Sequence, residues 1–170
     1  MIQFNQNEFA PFYANYVNKS MFVKNIVEGL KAQEEEIVSF FKNIPENKHE
    51  FRYATGKWTI KDVLLHLIDV ERIFAYRALR ISRNDTTLIP GFDENEYVDN
   101  ANATTRSLEN LIEEYILVRK ATIALFSSFT EEQYMRIGNA SNNSVSVRGL
   151  GYIILGHEKH HILVIKERYL

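Results

Sequence analysis

Apolar residues along this chain recur every three to four positions over long stretches and do not alternate, the pattern of amphipathic helices. Val23, Ile26, Val27, Leu30, Ile37, Phe40 and Phe41 predict a helix from about Ser20 to Asn43, with Lys31, Glu34 and Glu35 facing water; Pro45 stops it. A connector through Tyr53, Gly56 and Trp58 leads to Thr59. With Asp62 three residues on, Thr59 approximates a capping box and opens a second helix that runs to about Ser82. The stretch from Arg83 to Thr105 is rich in Asn, Asp and Thr and contains Pro90-Gly91, so it reads as a long crossing loop with one short helical turn. A third helix is expected from Ser107 to about Ser127, then a short one opened by Thr130-Glu131-Glu132-Gln133. A polar hinge over Gly138 to Ser144 precedes the last helix, Ser146 to Leu170. Four long helices, one long crossover and no strand signal predict an all-α four-helix bundle.

Composition narrows the field. At 170 residues the chain fits one domain, 1–170, and 45% apolar residues supply a sizeable core. Twenty Lys and Arg against 22 Asp and Glu leave a net charge of −2. That balance excludes affinity built on neutralising nucleic-acid phosphates or anionic lipid, and leaves a small molecule or another protein as partner. No segment is apolar enough to span a membrane and no secretory signal opens the chain, so the expected address is cytoplasmic. Cysteine is absent, which removes disulfides, thiolate metal ligands and a cysteine nucleophile together. Thiol chemistry here needs a thiol from outside. Twenty-one aromatic residues (eleven Phe, nine Tyr, one Trp) are many for one small core, and association of two chains through bundle helices is the expected use of the excess.

The histidines carry the chemistry. Of the five, at positions 49, 66, 157, 160 and 161, three lie on the last predicted helix. At roughly 100° per residue, His157 and His161 fall about 20° to either side of the apolar face formed by Leu150, Ile153, Ile154, Val164 and Ile165. His160 falls about 80° away, at the rim; its i,i+3 spacing from His157 also allows a shared ligand, but its ordinary role is a surface or interhelical hydrogen bond. Residues at i and i+4 have Cβ atoms about 5–6 Å apart, so the pair His157/His161 can converge on one cation. His66 borders the apolar face of the second helix beside Asp62 and Asp69, either of which can orient its imidazole as hydrogen-bond acceptor. A lone histidine in such a place is more often a satisfied core residue, whereas two buried imidazoles need partners. His49 is expected to be solvated. Trp58 reads as a packing anchor, Arg77 and Arg80 as a solvated face that can also greet an anionic substrate, and Glu34-Glu35-Glu36 as surface.

Three segments together resemble a known family. They are Gly56-Lys57-Trp58-Thr59 followed by His66-Leu67-Ile68-Asp69, then Pro90-Gly91-Phe92-Asp93-Glu94-Asn95, and finally Gly156-His157-Glu158-Lys159-His160-His161. The chain is similar, over nearly its whole length, to the DinB-like (DNA-damage-inducible) family of bacterial proteins. The resemblance implies a four-helix bundle of up-down-down-up topology, often a homodimer, with one divalent metal (Zn, Ni, Fe or Co) held by His66, His157 and His161. It also implies either transfer of a low-molecular-weight thiol such as bacillithiol, mycothiol or glutathione to an electrophile, or metal-dependent hydrolysis. Three neutral imidazoles preserve the charge of a cation and leave positions open, as in catalytic rather than structural sites. Thiol transfer is the favoured reading, metal-assisted hydrolysis the first alternative, and a non-catalytic stress-response binding module the second.

Overall fold

The computed structural model describes residues 2–170. Its helices are α1 (Ala14–Ser20), α2 (Ile26–Lys42), α3 (Ile60–Ser82), α4 (Glu94–Ala101), α5 (Leu108–Ser127), α6 (Glu131–Met135) and α7 (Val147–Arg168). Strands β1 (Ile137–Ala140) and β2 (Asn143–Ser146) form a hairpin between α6 and α7. The four long helices α2, α3, α5 and α7 make the expected bundle, up-down-down-up. α2 and α3 each pack against both α5 and α7, so these sequence neighbours sit on a diagonal. The long crossover after α3 brings the chain back to the start of α5, and the two helices lie side by side.

Several boundaries follow from capping chemistry. Thr59 and Asp62 form the full reciprocal box at the start of α3, and Thr130 with Gln133 does the same for α6. The first predicted helix starts later than expected, at Ile26, and a short helix that the periodicity did not predict, α1, precedes it. Asn25, in extended conformation, accepts a hydrogen bond from the Glu28 amide and starts α2 afresh, so Ser20 ends a separate helix. The crossing loop carries more than one turn of helix: Asp93 accepts from the Asn95 and Glu96 amides and opens α4. The expected polar hinge is the β-hairpin. Ser141 and Asn142 both have positive φ, 53° and 62°, the left-handed pair that a two-residue type I′ turn requires. Ile89 of the crossing loop pairs with Ala140 at the edge of this hairpin.

The core has two apolar halves with a polar layer between them. One half gathers Leu30, Phe74, Ala78, Phe126, Ile153 and Ile154; the other gathers Phe41, Leu64, Ile68, Leu111, Tyr115 and Ile165. Between them lies Arg119 of α5, wholly buried. It donates from Nε and Nη2 to Glu71 of α3 at 2.9 and 2.7 Å, from Nη2 to Glu158 of α7 at 2.5 Å, and from Nη1 to the Leu30 carbonyl of α2 at 3.2 Å. One guanidinium thus ties all four long helices. Burial holds the Glu158 carboxyl above the usual carboxylate range, with Arg119 acting against that shift and Glu71 adding to it.

The segment before α1 is clamped to the start of α7. Glu8 is buried and pairs with Arg148, accepts from Ser146 Oγ, and accepts from the Asn5 amide. At Gly149 the backbone of Glu8 lies so close that a Cβ would strike its carbonyl. Among the described residues no helix is long and apolar enough to cross a membrane.

Two outcomes are expected. Arg119→Met leaves two buried carboxylates facing each other and should destabilise the protein by roughly 3–5 kcal/mol in urea unfolding, a loss mostly recovered when Glu71→Gln and Glu158→Gln are added. Loss of stability below 1 kcal/mol for the single variant would show that the three charges are not coupled. At Glu8, burial raises the carboxyl, but Arg148, Asn5 and Ser146 outweigh it and leave the group below its ordinary 4.5. A depressed folded value means that the unfolded chain binds more protons, so this stabilisation is complete above about pH 4.5 and is lost as pH falls through the folded value. The stability gap between wild type and Glu8→Gln should therefore be constant from pH 7 to 5 and shrink below about 4.5. A gap that widens with acid would contradict it.

Candidate metal centre

His66 sits on α3 nearly two turns from its cap, and His157 and His161 sit one turn apart on α7, which packs against α3. Their Nε2 atoms converge: His66 to His157 at 3.1 Å and His157 to His161 at 3.0 Å. One nitrogen from each ring lies within 4.8 Å of the other two. His160 and His49 do not join them. His160 is half-buried under Tyr16, and His49, expected in solvent, is half-buried with Nε2 3.1 Å from the Ile44 carbonyl. Asp62 and Asp69 take other partners. Asp62 accepts from the Thr59 amide in the helix cap and faces Arg52 at 3.3 Å, while Asp69 faces Arg72 at 3.6 Å. Neither carboxylate hydrogen-bonds to an imidazole in the structure, because the cap and the arginines claim them first.

Aromatic rings fix the imidazoles. Trp58 packs on His66 with centroids 4.7 Å apart and stacks over His161 at 6.4 Å and 16°. Tyr16 of α1 meets His157 edge-on at 5.2 Å. This approach depends on Gly156, where any Cβ would collide with the Tyr16 carbonyl. Trp58 is thus a packing anchor whose face is also a wall of the site.

Electrostatics keep the group neutral. Burial pushes His66 down to about 4, and it pushes His157 and His161 well below the ordinary value, the neighbouring imidazoles adding to the effect. In neutral imidazole each nitrogen is either a donor or an acceptor. A proton on His157 Nε2 would have to be shared by two acceptors, whereas a cation among the three satisfies every lone pair. Tetrahedral zinc with Zn–N near 2.0–2.1 Å places its nitrogens about 3.3 Å apart. Separations of 3.0 and 3.1 Å are within a small ring rotation of that figure. The donor set therefore fits a divalent cation.

A cavity of about 380 Å³ opens onto these rings and is walled by Tyr13, Tyr16, Phe74, Phe92, Glu94 and Ser141, among others. A larger one, about 810 Å³ between the end of α2 and the start of α5, shares none of those residues and contains no such convergence of donors. Sequence reading missed the wall from the N-terminal segment, Phe12, Tyr13 and Tyr16; the only signal was an aromatic cluster beside Pro11. It also missed the ion layer. Tyr115, Arg119, Thr122 and Phe126 follow helical spacing, and a charge inside that stripe is the sign of a buried partner. Arg77, expected on a solvated face, is buried, 2% exposed; Arg80 is partly exposed and pairs with Asp85 at 2.6 Å.

Comparison with known proteins gives two findings. Residues 30–165 match the model of the DinB superfamily, a span that includes all three converging histidines. Among solved structures the chain is similar to YfiT from Bacillus subtilis, described as a probable metal-dependent hydrolase with an unusual four-helix bundle topology. The TM-score is 0.71 at 17% identity, over 97% of this chain and 90% of that one, a likeness that shows the fold. No curated protein matches the chain.

Proposed function

Since the chain belongs to the DinB superfamily, we propose that it is a metal-dependent enzyme in which His66, His157 and His161 hold one divalent cation (Zn, Ni, Fe or Co) beside a small-molecule pocket. The observation that carries this reading is the meeting of three neutral Nε2 atoms at one end of an aromatic-walled cavity. A divalent cation held there would supply Lewis acidity and lower the pKa of a neighbouring thiol or water towards neutrality. The protein's residues do the rest. Burial keeps the three imidazoles neutral and able to ligate. Trp58 and Tyr16 hold the rings in place and exclude bulk water from one side, and the chain contributes no cysteine of its own.

The first form of the reaction is attack by a low-molecular-weight thiol on an electrophilic substrate, in keeping with the sequence resemblance and a cysteine-free chain. The second is hydrolysis by activated water, favoured by the likeness to YfiT. Metal analysis should find about one divalent ion per chain, abolished by His157→Ala or His161→Ala and retained by His160→Ala. Loss of metal in His160→Ala with retention in His161→Ala would refute the ligand set. On the cobalt-loaded protein, a thiol that binds the centre shifts the visible spectrum. No shift with any thiol, together with ester or amide cleavage lost in the histidine variants, assigns hydrolysis instead; absence of both leaves a binding module.

The same reading includes a homodimer. Large apolar side chains stand exposed on the bundle and its flanks, among them Leu117 at 69%, Phe22 at 61% and Phe12 at 60%. Light scattering should give twice the chain mass, and a monomer at all concentrations tested would end the idea.

A further inference from the structure

The cavity beside the imidazoles has a second polar end, and the charge behind it has no counterion. His66, Val70, Phe74 and Arg77 form one stripe of α3, since eleven residues make about three turns and return to within about 20° of the same face. The first three line the cavity; Arg77 lies beyond them, its side chain 2% exposed. A buried arginine normally has a carboxylate partner. Arg77 has none within ion-pair distance among the described residues, and its Nε has no hydrogen-bond partner at all. Instead its guanidinium packs against the rings of Phe74 and Phe92, 5.4 and 5.8 Å to the centroids, and Nη2 donates to the Pro90 carbonyl at 3.1 Å and to Ser141 Oγ at 2.9 Å.

The consequence falls on two hydroxyls. Ser141 Oγ accepts from Arg77 and donates to no protein group among the described residues, so its hydrogen is left for the cavity that it lines. At Tyr13, on the same wall, burial is the larger effect and holds the phenol above its ordinary value, but the Arg77 charge is near enough to favour loss of its proton. A hydroxyl oxygen that accepts from a cation, as Ser141 Oγ does, becomes a stronger O–H donor, and at Tyr13 the same charge acts through space. Glu94, the acidic member of the wall, is exposed and forms no ion pair with Arg77, though its charge is felt at the Tyr13 phenol.

We propose that the hydroxyls of Ser141 and Tyr13, polarised by the buried Arg77, form an anion subsite that receives the carboxylate of a small substrate whose other end faces His66, His157 and His161. Arg77 is a positioning residue here, acting through the two hydroxyls. The aromatic rings between the two ends suit an aryl or alkyl body. This assignment rests on the cavity being the substrate pocket, but not on a cation being bound.

Binding of 3-phenylpropionate and of its uncharged amide tests it, followed through Trp58, the single tryptophan, which borders the cavity. Titrations are run on the full chain both metal-loaded and chelator-treated. The acid should bind about tenfold more tightly than the amide in both forms, since one charge-assisted hydrogen bond accounts for a factor of that order. Ser141→Ala and Tyr13→Phe, which leave the charge and the packing in place, should each reduce the acid-to-amide ratio by at least about threefold without changing amide affinity. Arg77→Gln should bring the ratio close to one and Arg77→Lys should recover part of it. If Arg77→Gln does not fold, the Arg77 Nε–H resonance of the wild type, identified by its loss in Arg77→Lys, should move with acid and not with amide. A ratio near one in the wild type, failure of both probes to bind, or a ratio unchanged in the Ser141 and Tyr13 variants overturns the proposal. A preference seen only with metal and indifferent to these variants places the carboxylate on the cation, which overturns the subsite and leaves the metal reading standing. An acid preference that depends on Tyr13 and Ser141 in protein that takes up no metal does the reverse.

Discussion

Arg119 is the side chain on which the arrangement of the bundle turns. Each long helix contributes to the polar layer around it: Glu71 from α3, Glu158 from α7, the Leu30 carbonyl from α2 and the guanidinium itself from α5. Gln33 of α2 adds a bond to the Leu155 carbonyl of α7 at the same level. A buried ionic cluster contributes little net stability over a well-packed apolar one, because desolvation offsets most of the attraction. Its effect is on register. Sliding α3 or α7 by one turn would carry a carboxylate into an apolar half of the core, where an unpaired charge is far costlier than a packing defect. The layer thus favours one axial alignment among the many that an apolar seam alone would tolerate.

That alignment positions the imidazoles. His66 lies five residues before Glu71 on α3, and His157 is the immediate neighbour of Glu158 on α7. Each helix therefore turns one face to the guanidinium and another to the histidine group, and fixing the first fixes the second. Three nitrogens brought within 3.0–3.1 Å contacts without a carboxylate among them would repel if protonated. Burial under Trp58 and Tyr16 keeps them neutral instead. The bundle thereby holds three lone pairs in an arrangement that an unfolded chain would almost never populate.

The long helices and the pair His157/His161 were legible in the sequence because both depend on local spacing, whereas His66 joined them only through the family resemblance. Amphipathic period, the Thr59 and Thr130 caps and the i,i+4 placement of His157 and His161 are short-range signals. What escaped was non-local or carried no period. Strands β1 and β2 have four residues each and a Ser-Asn turn, so they read as a hinge until Ile89 gives them an edge to pair with. Helix α1 went unread, and the start of α2 at Ile26 depends on one asparagine cap inside an otherwise periodic run. Asp62 and Asp69 stood near His66 along the helix, but sequence proximity says nothing of the Thr59 amide, Arg52 and Arg72 that engage them. Arg77 looked solvated because its cover comes from Pro90, Phe92 and Ser141, far along the chain.

The division of labour within the chain follows from the same contrast. The converging histidines and the ion layer lie on the bundle helices, within the span that matches the superfamily. The cavity wall opposite them is drawn largely from Phe12, Tyr13 and Tyr16, which lie outside that span, and from Phe92, Glu94 and Ser141 on connecting segments. A rigid scaffold that holds the reactive centre, with connecting segments that shape the pocket, lets recognition change without disturbing the centre. The N-terminal wall stays in place here because Glu8 is clamped by Arg148 and Ser146 and because Gly149 and Gly156 let the segment press directly on α7. Residues that touch no histidine therefore determine the shape of the space in front of them.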